Sequence, residues 1–85
     1  MGFDIVTPEI VKLQIQSLEA LVRVADSNID SYLETLSMFM KADGAFKEAD
    51  FVWVKGLLES AQYQKEKLLA DIEVKKSVLK FMGGN

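Results

Sequence analysis

Cysteine and histidine are both missing from this 85-residue sequence. Without cysteine there is no disulfide framework and no thiolate metal site. Without histidine the commonest general base and the commonest transition-metal ligand are gone. Proline occurs once and glycine five times, so no long disordered linker is expected. The longest apolar run is Phe51–Val54, far short of the roughly twenty residues that cross a bilayer. The N-terminus has no basic-then-apolar layout of a cleavable secretory signal. Met1-Gly2 is followed by Val6 where a myristoylation motif needs Ser or Thr. These absences describe a soluble chain that is cytoplasmic or part of an assembled particle, with no membrane insertion.

Excess positive charge is also lacking. The net charge is −3, which argues against nucleic acid, since phosphate binding rests on a basic surface. The charge is uneven along the chain. Residues 1–50 hold nine acids and four bases, residues 51–85 four acids and six bases. The two halves should attract each other, within one chain or between chains.

What is present is helical periodicity. Thr7 is a good N-cap, Pro8 fits the first helical position, and Glu9 complements the positive end of the helix dipole. Val6 and Val11 occupy the positions of a hydrophobic staple. From there Val11, Ile15, Leu18, Val22, Ala25, Ile29, Tyr32, Leu36 and Phe39 step alternately by four and three, a heptad seam. That seam passes in register through "ADSNIDS", residues 25–31, where Asp, Ser and Asn would suit a turn. The five polar residues there cost together roughly 3 kcal/mol of helix propensity. Burial of Ile29 and Tyr32 returns roughly 1.5–3 kcal/mol each when a second helix lies opposite. The spacing therefore predicts one helix over about 8–41. The alternative is a kink restarted by a Ser31–Glu34 capping box.

Lys41 and Gly44 suit the end of that helix, and Glu48 and Asp50 the first turn of the next. Phe51, Val54, Leu58, Ala61, Lys65, Leu68, Ile72, Lys75, Leu79 and Met82 form a second seam over about 47–82, with two lysines in it. A seam lysine can fix register or snorkel to water. Two long helices joined by a turn at 42–46 make an antiparallel hairpin. The expected fold is all-α, a single hairpin domain with a short extended segment at 1–7 and a tail at 83–85. It completes its core by self-association or partner binding.

No constellation for catalysis is visible. Asp26, Asn28 and Asp30 match the opening of a calcium loop, but Ser31 replaces the required Gly and Ser37 the closing Glu. Asp26, Asp30 and Glu34 share one helix face as an acidic stripe, best read as solvated surface. Lys65, Lys67, Lys75, Lys76 and Lys80 are interleaved with Glu66, Asp71 and Glu73, again ordinary helix surface. Asp71 and Lys75 form an i, i+4 pair in the favourable order. There is no Gly-rich phosphate cradle and no nucleophile elbow. A non-enzyme without cofactor, metal or small-molecule substrate is expected.

The surplus of apolar residues is the informative feature. Ile10, Leu13, Ala20, Leu21 and Val24 form a second stripe on the first helix. Trp53, Leu57, Leu69, Val74, Val78 and Phe81 lie off the seam of the second. The turn region gathers Met38, Phe39, Met40, Phe46, Phe51 and Trp53. A two-helix hairpin has one contact line and cannot cover all of these. The candidate protein-binding residues are Trp53, Phe46, Phe51, Met38, Met40, Ile10, Leu13, Leu21 and Val24. The partners they imply are further copies of the chain, a larger protein, or both.

In shape and size the hairpin is similar to small secreted hairpins with a W-x-G turn, to type III secretion needle subunits, and to small phage virion proteins. The likeness is architectural. Trp53 and Gly56 are spaced W-x-x-G inside a helix, and "KADGAF" stands where needle subunits carry a Pro-containing turn. The expectation is an assembly subunit, for example of a virion or a secretion complex. The alternative is a small acidic regulatory binder, an inhibitor, immunity factor or chaperone.

Overall fold

A computed structural model describes residues 7–42 and 48–83. Among them the chain forms two α-helices, α1 (Pro8–Lys41) and α2 (Glu48–Phe81), packed along their lengths as a hairpin. Each is 34 residues long, or about 51 Å at 1.5 Å per residue.

The ends follow the local signals. Thr7 is extended (φ −102°, ψ 159°), and its Oγ1 accepts a hydrogen bond from the Ile10 N–H at 3.3 Å. Pro8 opens the helix where its missing N–H costs nothing. At the far end the Ala42 N–H donates to the Phe39 carbonyl at 3.3 Å. The staple residue Val6, the C-terminal Gly44 and the candidate Phe46 lie outside the described residues. α2 stops one residue earlier than the seam suggests. Gly83 adopts φ 75° and donates to the Lys80 carbonyl at 3.0 Å, so Met82 already belongs to the terminating turn.

α1 is continuous through residues 25–31, so the kinked alternative is not what forms. Within the helix the Thr35 hydroxyl donates to the Ser31 carbonyl at 2.9 Å, the back-bond typical of a helical Thr. The calcium-loop geometry is excluded by the same helix.

The seams account for the interior. Every seam position named above is buried or half-buried, and the buried residues are Val11, Ile15 and Ala25 from α1 with Val54, Leu58 and Ile72 from α2. Val11, Ile15 and Ile72 form a cluster near the open end, with Leu18, Val22, Leu79 and Met82 packed against it. The molecule measures 59 × 29 × 14 Å, so it is one layer of helices thick. Such a layer has two broad faces, and no third element among the described residues covers either.

Candidate interaction surface

The heptad register sorts the residues beside the seam into these two faces. In an antiparallel pair, equivalent flanking positions of the two helices fall on the same side. On one side α1 runs from Ile10 through Ser17, Leu21 and Val24 to Met38 without a charged residue. The matching α2 positions run from Trp53 through Leu57, Val74 and Val78 to Phe81, and Lys67 and Asp71 are the charges between them. The other side carries Lys12, Glu19, Arg23, Asp26 and Asp30 from α1. It also carries Lys55, Glu59, Glu66, Glu73, Lys76 and Lys80 from α2. One face is charge-poor and the other is charged.

Two grooves lie along the charge-poor face. The larger, about 560 Å³, is lined by Leu21, Val24, Ala25 and Asn28 against Gln64, Lys67, Leu68 and Asp71. The second, about 390 Å³, is lined by Ile10, Leu13, Gln14, Ser17 and Leu18 with Lys75. A third groove opens on the charged face between Ile29 and Gln62, Lys65, Glu66 and Leu69.

Of the candidate residues, Ile10, Leu21, Val24, Met38 and Trp53 share the charge-poor face and are exposed. Leu13 stands on its outer edge and walls the second groove. Met40 is exposed on the opposite face, so the two tip methionines do not act together. Phe51 is half-buried in the seam and serves the hairpin itself. Trp53 is 67% exposed. Val74, Val78 and Phe81 extend the charge-poor face along α2 and are exposed as well. They stand out once the off-seam residues are sorted by side, because a count of off-seam apolars alone does not separate the faces.

Comparison with protein-family models, curated proteins and solved structures gives no match.

The two seam lysines are each engaged. Lys75 pairs with Asp71 one turn away at 3.6 Å, as the i, i+4 spacing predicts. Lys65 leaves the seam toward the charged face and pairs with Asp26 of α1. Asp26 is thereby half-buried, unlike its stripe neighbours Asp30 and Glu34, which remain exposed. The pair joins the acidic half of the chain to the basic half. It also marks which level of α1 lies beside which level of α2. Lys67 stands 5.3 Å above the Tyr63 ring, a cation–π contact along α2. Among the described residues no group of His, Cys, Asp or Glu is placed to hold a metal ion. No described helix is long and apolar enough to cross a membrane.

Proposed function

We propose that this chain is a non-enzymatic assembly subunit, a hairpin that completes its core by packing against further copies or by docking into a larger particle. The carrying observation is the imbalance of apolar burial. Six hydrophobic residues are buried, whereas fourteen large ones are exposed among the described residues. Scattered apolar surface is normal, but here much of it is gathered on one face along two helices, the pattern of an interaction surface.

Light scattering across a concentration series tests this reading. The purified chain should exceed monomer mass, and its melting temperature should rise with protein concentration, because folding and association are linked by mass action. A strictly monomeric chain with a concentration-independent melting temperature would overturn self-association.

The exposed Trp53 supports a second reading, a small regulatory binder that anchors on a larger protein. Trp is enriched at binding hot spots, and adaptable Met often surrounds such anchors. On that reading the chain stays small until its target is added. Trp53 emission then shifts to the blue, and Trp53→Ala weakens binding far more than folding.

A further inference from the structure

We propose that a second copy of this chain docks on the charge-poor face in antiparallel orientation, with Lys67 of each copy meeting Asp71 of the other across a two-fold axis. The inference rests on the self-association reading above and specifies the face and orientation that serve it. Three observations carry it.

The first is charge. At the flanking positions of this face, from Ile10 to Met38 on α1 and from Trp53 to Phe81 on α2, Lys67 and Asp71 are the charged residues, one of each sign and one helical turn apart. The seam Lys75, which walls the second groove, lies 3.6 Å from Asp71. A two-fold axis across the hairpin, level with residue 69, lays α2 antiparallel on its own copy. Residue 67 then faces residue 71 twice, and both charges are matched. A two-fold axis along the hairpin would instead lay α2 on the α1 of the other copy. Lys67 would then sit against a stripe with no charge to answer it, and Asp71 would keep only Lys75 of its own chain. The antiparallel choice avoids leaving a desolvated charge unpaired.

The second is level. The Asp26–Lys65 pair marks a level at which Leu21 lies beside residue 70, one residue from the proposed axis. Leu21 lines the same groove as Lys67 and Asp71. The same axis therefore brings Leu21 against its own counterpart. The uncharged half of α1, including Ile10 and Val24, is covered in the same step.

The third is area. Centred near Leu21 and residue 69, the overlap takes in about 26 residues of each helix, roughly 40 Å long and two helices (about 20 Å) wide. That footprint, roughly 800 Å² per partner, is the size of a standard specific interface. The charged face stays in solvent, where its charges need no partner. The product is a four-helix bundle whose two tips project from opposite ends.

Charge reversal tests the pairing. Lys67→Glu and Asp71→Lys should each weaken the dimer about tenfold, because each homodimer then holds two like-charge contacts. Mixing the two variants should recover most of the lost affinity. In the mixed dimer the new carboxylate at position 67 of one chain faces the new ammonium at position 71 of the other, and the second pair is native. Any defect within a single chain survives mixing, so recovery on mixing isolates the contact between chains. The absence of cysteine gives a second readout. Leu21→Cys should cross-link into a disulfide dimer under mild oxidation, and Arg23→Cys on the charged face should not. Circular dichroism checks that every variant is folded. A wild-type oligomer that shows no recovery on mixing, or that cross-links through Arg23→Cys and not Leu21→Cys, overturns this face and orientation while leaving self-association standing. A strictly monomeric wild type overturns both, and leaves a different protein as the occupant of the face.

Discussion

Among single residues, three positions separate what holds the hairpin from what it offers outward. Trp53 is 67% exposed, so Trp53→Ala should leave helix content unchanged and shift stability by no more than about 0.5 kcal/mol. Its emission in dilute solution should be that of a water-exposed indole. Blue-shifted emission in a dilute monomer, with unfolding of Trp53→Ala, would return Trp53 to the core. Gly56 sits inside α2 with nothing within 4 Å of the place a Cβ would occupy. Gly56→Ala should therefore stabilise the chain by about 0.5–1 kcal/mol, read as a higher denaturant midpoint. Lys65 occupies a seam position, and its side chain is about a third exposed where it pairs with Asp26. Asp26→Ala should cost at most about 1 kcal/mol, the scale of a solvent-screened pair. A loss of several kcal/mol would mean that the pair is far less screened than its exposure implies.

For the elements, continuity of α1 is the property on which the rest depends. The helix carries its seam through residues 25–31, and the two halves of that seam bury against one partner helix. Proline there removes a backbone hydrogen bond and clashes with the preceding turn, a cost of about 3 kcal/mol or more. Ile29→Pro also removes a half-buried seam side chain, and it should abolish the helical signal at ordinary temperature. Ser27→Pro points away from the seam yet breaks the same ladder, so it should be strongly destabilised too. Full helix content in Ser27→Pro by circular dichroism would show that the chain tolerates a break at this point. α2 ends more softly than α1 begins. Its stop is Gly83 at positive φ, a conformation that costs little for glycine and about 1 kcal/mol or more for other residues.

For the molecule as a whole, a single layer 14 Å thick leaves each helix with one protected side. The interior is small, and its cluster of Val11, Ile15 and Ile72 gathers near the open end. Assembly and folding should therefore be hard to separate. Leu21→Glu and Val24→Glu place a charge in the middle of the charge-poor face, and neither residue belongs to the interior. Both should lower the scattering mass toward the monomer and lower the melting temperature together. A fall in melting temperature with unchanged mass would mean that these residues support the hairpin and not its association.

The hairpin was legible in the order of the amino acids. Seam spacing is a local property, since a helix repeats every 3.6 residues wherever it stands, and so the interior positions could be read one by one. The N-terminal cap, the continuity through residues 25–31 and the Asp71–Lys75 pair were legible for the same reason, because their partners lie within one or two turns. Whatever depends on one helix lying beside another came from the packing. Asp26 finds Lys65 across 39 positions of sequence, and no i, i+4 rule connects them. Which off-seam residues form one surface was settled in the same way. The stripe from Ile10 to Met38 and the stripe from Trp53 to Phe81 become a single face because antiparallel packing turns their flanks to the same side. Met38 and Met40, two residues apart and alike in sequence, fall on opposite faces by that rule. The level of the helices, fixed by packing and marked by the Asp26–Lys65 pair, puts Leu21 beside Lys67 and Asp71. Spacing along either helix alone carries no information about that level, because it measures position along one axis and not between two.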